Sequence, residues 1–325
     1  MSVKIAIAGF GKLGAGALDA VRSSDDLEPI CIVTRRDPRA IGDCGNIPVI
    51  SVTDVLSLKG RVDVMILCFG SQRDLPALSP MLAENFNIID SFDDHGQIPE
   101  HFDRVNKAAG GSGHTAVISA GWDPGIFSLA RAACSAFMPD GKYLTLWGPG
   151  ISQGHSNALR SIPGVADARQ YTIPLDTAAE DFKAGKHFSD PSRECHRRVC
   201  FVAANEGADR ALIEKEIKEM PDYFEGYDTS VTFVTKKELA ARHGTLPHGG
   251  RVIGSGRNAD GSLQTAELSL TLESNPSFTG GVLAAYARAV SRLYNEGRTG
   301  CFTPLDIPFS YLSRMSAENL RKKLL

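Results

Sequence analysis

Along the first third of the chain, short apolar runs alternate with segments whose apolar residues recur every three or four positions. Val3-Lys4-Ile5-Ala6-Ile7-Ala8 is a compact β-forming run that ends at Gly9, and across 12–23 the residues Leu13, Ala17, Leu18, Ala20 and Val21 fall at helical spacing. Residues 30–33, 63–68, 87–90 and 115–119 read as further buried strands. Unbroken apolar runs separated by helical stretches predict parallel strands joined by crossover helices, a doubly wound (Rossmann-type) α/β sheet. After about Gly121 the texture changes. Residues 143–147, 198–202, 229–234 and 265–272 alternate only in part and lie between long polar or Gly/Pro-rich connections, which predicts a mixed or antiparallel sheet in an α+β second lobe. A helix is expected over 209–220, stopping before Pro221. Another is expected over 282–296, where Val282, Leu283, Tyr286, Ala289, Val290 and Leu293 form one stripe and Gly297 supplies the C-terminal cap.

Length agrees with two lobes, since 325 residues exceed what one ordinary core accommodates. With 42% hydrophobic and 22% charged residues the composition is that of a soluble globular protein, and a net charge of -3 gives no attraction to a polyanion. No basic stripe is interleaved with aromatic residues, so nucleic acid is not an expected partner. No stretch approaches the ~20 apolar residues of a membrane span, and the apolar run 3–8 is too short for a signal peptide. The seven cysteines are odd in number and lack zinc-ligand or redox spacing, so reduced thiols, a cytoplasmic location and no metal are expected.

Gly9-Phe10-Gly11-Lys12-Leu13-Gly14 is a GxGxxG placed where the motif has meaning, after a strand and at the opening of a helix. Gly9 suits the tight turn, Gly11 the approach of a pyrophosphate, and Gly14 close helix–strand packing, while the helix N-terminus offers free N–H groups to phosphates. At the end of the second strand an NAD enzyme usually carries an acid for the ribose 2′-hydroxyl. Here stand Thr34, Arg35 and Arg36. Guanidiniums pair with a 2′-phosphate that an acid would repel, so the cofactor expected is NADP.

Ligands of open parallel sheets bind beyond the carboxyl ends of the strands. The loops there hold Cys68-Phe69-Gly70-Ser71, then Asp90, Asp93, Asp94 and His95, then Gly121-Trp122-Asp123-Pro124-Gly125. Asp93 and Asp123 thus fall on different loops near the expected nicotinamide end. Two carboxylates there can bind an ammonium group and take its protons, which amine oxidation requires because hydride leaves readily only when nitrogen has a free lone pair. Taken singly, each suits a helix cap or turn equally well.

Several segments extend beyond these general motifs: 90–95, Ser119-Ala120-Gly121-Trp122-Asp123-Pro124-Gly125, the run Trp147-Gly148-Pro149-Gly150-Ile151-Ser152-Gln153-Gly154-His155-Ser156, Gln170-Tyr171-Thr172, 198–202, 220–224, Leu246-Pro247-His248-Gly249-Gly250 and Asn275-Pro276-Ser277-Phe278. In these the chain resembles the meso-diaminopimelate dehydrogenases over nearly its whole length. The resemblance implies reversible, NADP-dependent oxidative deamination of the D-centre of meso-2,6-diaminopimelate to L-2-amino-6-oxopimelate and ammonia, in lysine and diaminopimelate metabolism. It implies Asp93, Asp123 and Trp147 around the reacting centre, with Gln153 and Gly154 contacting substrate from the neighbouring loop. Thr172, Arg198, His248 and Asn275 would hold the distal L-centre, chiefly its carboxylate. It further implies a homodimer, a dinucleotide domain over 1–120 on which about 298–325 packs back, and a substrate-binding and dimerisation region over 121–297. From the residues alone, His248, between a proline and two glycines, reads as a loop histidine.

Two other readings keep Gly9, Gly11 and Gly14, and the first of them also uses Arg35 and Arg36. One is a different NADP-dependent reductase of a keto acid or imine, which needs no second ammonium site. The other is a dinucleotide-binding sensor without turnover, which has no use for the combination of Asp93, Asp123, Arg198 and His248.

Overall fold

The computed structural model describes every residue except Met1, Asp43, Pro139, Thr245 and Leu246, so the Leu246 end of one family-like segment lies outside the described residues. The chain forms two compact units, Met1–Leu129 with Pro276–Leu325, and Ala130–Asn275.

The first unit is the doubly wound sheet. Strands β1 (Val3–Ala8), β2 (Leu27–Thr34), β3 (Val49–Ser51), β4 (Val64–Leu67), β5 (Ile88–Asp90) and β6 (Thr115–Val117) are joined by a seventh, Gly300–Phe302, in the order Gly300–Phe302, β6, β5, β4, β1, β2, β3. Every pairing is parallel. Both faces are covered, which is why the strands read as unbroken apolar runs. Ile5, Ile7, Val64 and Ile66 enter one core with the helices Lys12–Arg22 and Asn275–Asn295. Ala6, Ala8, Met65 and Leu67 enter the other with Leu75, Leu82 and Val105 from the helices Leu75–Ala83 and Ile98–Ser112.

Two sequence expectations change here. The helix expected over 282–296 starts at Asn275, with Gly280 and Gly281 inside it. Gly280 is there because the helix crosses Lys12–Arg22 at backbone distance: a Cβ on Gly280 would lie 2.4 Å from the carbonyl carbon of Gly16, and one on Gly16 would lie 2.5 Å from the Pro276 oxygen. This helix therefore belongs with the doubly wound sheet, and the boundaries expected at 120/121 and 297/298 move to 129/130 and 275/276.

The second unit holds two sheets where one was expected. Strands β7 (Lys142–Trp147), β8 (Gly150–Ile151), β9 (Val165–Pro174), β10 (His196–Ala204), β11 (Asp228–Phe233), β12 (His248–Arg257) and β13 (Leu263–Leu272) form a four-stranded sheet β11-β10-β9-β8 and a three-stranded sheet β13-β12-β7. The first is mixed, with β10 and β11 parallel; the second is antiparallel. The expected helix over 209–220 forms at Arg210–Lys218, capped by the Asp209 carboxylate and burying Ile213 and Ile217. His248 is not a loop residue but the first residue of β12. That strand carries four glycines, which hide its pattern, and at least two are steric requirements. A Cβ on Gly249 would meet the Leu270 oxygen at 2.3 Å, and one on Gly254 the Cys134 sulfur at 2.4 Å.

Candidate active site

The glycine turn of the first unit is shaped by contact on two sides and open on the third. Gly9 has φ 94°, and a Cβ there would lie 2.7 Å from the Cys68 oxygen; one on Gly14 would lie 2.1 Å from the Gly9 oxygen. Packing thus explains the first and third glycines. It does not explain Gly11, where a Cβ would meet nothing within 4 Å. The Lys12–Arg22 helix opens there with no side-chain cap and no acidic residue in its first turn, so Lys12 and Leu13 begin a helix whose first N–H groups and positive dipole end are met by no capping side chain. A bare, open backbone position at an uncapped helix start fits a dinucleotide pyrophosphate.

Thr34 is buried and its hydroxyl accepts the Arg36 backbone N–H at 3.1 Å, holding the loop in which Arg35 and Arg36 are exposed. Arg36 donates to the Phe10 carbonyl, tying this loop to the glycine turn. Arg35 donates to Asp74 at 2.5 Å and lies 5.7 Å from the Phe69 ring centre, while Asp74 also accepts the Gly70 backbone N–H at 3.1 Å. Arg35, Arg36, Phe69 and Gly70 thus form one connected rim. Asp74 went unnoticed in the sequence, where nothing marks it as the partner of an arginine 39 positions away.

Ser71 extends the same strand end: its hydroxyl accepts the Asp93 backbone N–H at 2.8 Å. The Asp93 side chain reaches solvent but stands among crowding protein atoms. That loss of water raises its carboxyl above the usual aspartate range, and the Ser71 hydroxyl and His95 oppose the rise. Asp123 is half-buried in a turn closed by Gly121 and Gly125, where a Cβ on Gly125 (φ 126°) would lie 2.1 Å from the Gly121 oxygen.

In the second unit, the segment 148–150 links the two sheets and brings three candidates together, Thr172, Arg198 and His248. Gly150 pairs with Thr172 and presses on His248, where a Cβ would lie 2.6 Å from the His248 Cα. Thr172 is opposite Arg198 across β9 and β10, and Arg198 donates to its hydroxyl at 2.6 Å. Arg198 is only 8% exposed, its guanidinium lies 4.1 Å from the Tyr227 ring centre, and its Nε has no partner among the described residues. Burial pulls this guanidinium below the usual arginine range, and Tyr227 opposes that shift. His248 Nδ1 accepts the Gly249 N–H at 2.8 Å, and burial lowers its imidazole below the usual range.

Trp147, half-buried at the end of β7, donates its backbone N–H to Nε2 of the buried His196 at 2.9 Å; His196 Nδ1 in turn meets the Ser192 carbonyl at 3.0 Å. Burial pushes His196 down to about 4, which keeps it a neutral acceptor. Gln153 and Gly154 are exposed in the first turn of the helix Gln153–Arg160, which Ser152 caps at His155 and which Ser156 anchors to β9 by accepting the Gln170 N–H at 3.0 Å. Asn275 opens the helix Asn275–Asn295, ahead of Pro276.

The chain can be placed among known proteins. Its residues 121–274 match the diaminopimelic acid dehydrogenase C-terminal domain. It is 50% identical to the meso-diaminopimelate D-dehydrogenase of Ureibacillus thermosphaericus over 99% of both chains. The chain belongs to the meso-diaminopimelate D-dehydrogenase family. Among solved structures, the Corynebacterium glutamicum diaminopimelate dehydrogenase in complex with DAP superposes with a TM-score of 0.94 at 37% identity, covering 100% of this chain and 99% of that one. An engineered D-amino acid dehydrogenase bound to NADP+ gives 0.90 at 37% identity over 100% of both chains.

For a diaminopimelate dehydrogenase family member, the residues that sequence reasoning missed are those that hold the candidates rather than the candidates themselves. Asp74 lies 39 positions from Arg35, His196 lies 49 from Trp147 and Tyr227 lies 29 from Arg198. A signal exists only for His196, which is two positions from Arg198 on one strand and so shares its face.

Proposed function

We propose that the chain catalyses the reversible oxidative deamination of the D-centre of meso-2,6-diaminopimelate, with NADP as the hydride acceptor, water as the source of the carbonyl oxygen, and L-2-amino-6-oxopimelate, ammonia and NADPH as the products. NADP, when bound, takes up the hydride released from the amino-bearing carbon. Gly9, Phe10, Gly11, Lys12, Leu13 and Gly14 would hold its pyrophosphate, Thr34, Arg35 and Arg36 its 2′-phosphate, and Cys68, Phe69, Gly70 and Ser71 the stretch between.

Asp93 is assigned the proton transfers. A carboxyl raised above the usual aspartate range accepts a proton from a substrate ammonium more readily than an ordinary aspartate, and can return it in the reverse direction. Asp123 is assigned the second acceptor for the same ammonium, and Trp147 the apolar wall beside the reacting carbon. Gln153 and Gly154 present first-turn N–H groups suited to a carboxylate. Thr172, Arg198, His248 and Asn275 are assigned the distal L-centre. Gripping that end fixes which hydrogen is presented, so the stereochemistry follows from placement.

The observation that carries this reading is Arg198, a buried guanidinium with unused donor capacity on a chain half identical to a meso-diaminopimelate D-dehydrogenase. The test is NADPH formation with the meso, LL and DD isomers side by side. Turnover confined to the meso form supports the assignment, and equal turnover of all three, or of none, refutes it. We also propose a cytoplasmic homodimer. No helix among the described residues is long and apolar enough to cross a membrane, and the edge strand β13 is exposed over most of its length, including Leu263 and Leu268. A monomeric mass in solution would overturn the dimer.

A further inference from the structure

The last residue of β5 has no place in the chemistry above, yet four donors converge on its carboxylate. Asp90 is 0% exposed. Its Oδ2 accepts the Ser79 hydroxyl at 2.7 Å and His101 Nε2 at 2.8 Å; its Oδ1 accepts the backbone N–H of Phe92 at 3.1 Å and of Ser119 at 3.0 Å. The Asp90 carbonyl also accepts the Ala120 N–H at 3.0 Å. His101 is fully buried and stacks on Phe92 with ring centres 4.2 Å apart. Its Nδ1 has no partner among the described residues, which fits the tautomer with the proton on Nε2, aimed at Asp90.

An apolar residue would fill this position at no desolvation cost, so a buried carboxylate with four donors calls for a reason. The donors supply one. Phe92 directly precedes Asp93, and Ser119 begins the turn that leads to Asp123. Ser119 holds φ 55°, a left-handed conformation uncommon for serine, and its own hydroxyl has no partner among the described residues, so its N–H on the Asp90 carboxylate, with the Ala120 N–H on the Asp90 carbonyl, anchors this bend. One side chain thus grips the roots of both loops. On the other side of Phe92, the Asp93 N–H is held by Ser71.

We propose that Asp90, oriented by His101 and Ser79, is a positioning residue for the reaction. It fixes the loops bearing Asp93 and Asp123 relative to each other without touching substrate. The inference rests on the assignment of Asp93 and Asp123 as the reacting carboxylates.

The variants that test it are Asp90→Asn, His101→Phe (which keeps the ring on Phe92 but removes the donor) and His101→Gln (which restores a donor). With meso-diaminopimelate, kcat should fall about 10²-fold in Asp90→Asn and about tenfold in His101→Phe, the scale expected when reacting groups shift by around an ångström. KM and NADP affinity should stay within about twofold, and His101→Gln should recover most of the kcat lost in His101→Phe. The limb of the kcat–pH profile that reports Asp93 should move in Asp90→Asn. Independently of turnover, amide hydrogen exchange in 91–95 and 119–125 should quicken together in Asp90→Asn and His101→Phe, while β1 and β4 stay protected. If Asp90→Asn does not fold, the His101 pair carries the test. If the wild type fails to oxidise meso-diaminopimelate, the proposed function falls, and the exchange measurement still judges the positioning role. Folded variants with unchanged kcat and unchanged exchange in both loops overturn the inference. So does a loss of kcat matched by an equal rise in KM, or a His101→Gln no better than His101→Phe.

Discussion

Replacing Arg198 with leucine separates a ligand clamp from a structural cation. In the free protein Arg198 donates to Thr172 at 2.6 Å, stacks on Tyr227 and is 8% exposed, so its charge sits in poor solvent. Removing it forfeits one hydrogen bond and a cation–π contact of about 1–2 kcal/mol but relieves a desolvation cost of similar size, so stability should change by less than about 1 kcal/mol. Binding has no such offset. A substrate carboxylate left without its guanidinium loses charge-assisted hydrogen bonds and is desolvated unpaired, a cost of about 2–5 kcal/mol. Taking about 3 kcal/mol, KM for meso-diaminopimelate should rise by about two orders of magnitude, since ~1.4 kcal/mol is tenfold. Thr172→Val, which removes only the hydroxyl, should cost about tenfold, near 1.4 kcal/mol. Initial rates over a substrate range, NADP titration and thermal unfolding on the same samples decide the matter. A folded Arg198→Leu enzyme with unchanged KM, or one destabilised by several kcal/mol at unchanged KM, would falsify the clamp and leave Arg198 a packing residue.

Arg35→Ala should weaken NADP binding by about 1.5–3 kcal/mol, roughly 10- to 150-fold, and leave NAD binding nearly unchanged; equal losses for both dinucleotides in a fluorescence titration would separate Arg35 from the 2′-phosphate. His196, whose folded imidazole is pushed down to about 4 by burial, must stay neutral in the fold. Its stabilising contribution is complete above about pH 6.5 and is lost as pH falls from there toward 4, by about 3 kcal/mol in all. His196→Asn should flatten that part of the stability–pH curve, and a variant curve parallel to wild type would refute the assignment. Gly280→Ala and Gly281→Ala should move stability in opposite directions. The first places a methyl 2.4 Å from Gly16 backbone and should cost about 1–3 kcal/mol despite better helix propensity. The second meets nothing within 4 Å and should gain about 0.5–1 kcal/mol. Denaturant midpoints that shift the same way in both would show that the close helix crossing is absent.

The doubly wound sheet was legible because strands buried on both faces leave unbroken apolar runs, and the glycine turn because its spacing is dictated by backbone contact. β9 and β12 were not. β9 mixes Asp167, Arg169 and Gln170 into its run, and β12 spends four of its ten positions on glycine, so neither shows alternation. The helix Asn275–Asn295 was legible only from its apolar stripe onward; its first turns are chosen for closeness to another helix, and Gly280 reads locally as a break. Within the candidate site, residues with a chemical signature were found, while their holders were not. Thr172 and Arg198 are 26 positions apart and meet only through the β9–β10 register, and Tyr227 approaches from outside both strands. Such partnerships depend on pairing geometry that no local pattern encodes.

The seventh strand, Gly300–Phe302, has a consequence for biosynthesis. The parallel sheet begun by the first residues is missing one edge strand, and the long helix that covers one of its faces, until translation has passed residue 302. By then all of 130–275 has been synthesised. That inserted unit is continuous in sequence and can condense first, whereas the amino-terminal segment must wait with apolar surface uncovered. Chaperone dependence in the cell should accordingly track mutations in the sheet begun at Val3 more closely than those in the inserted unit.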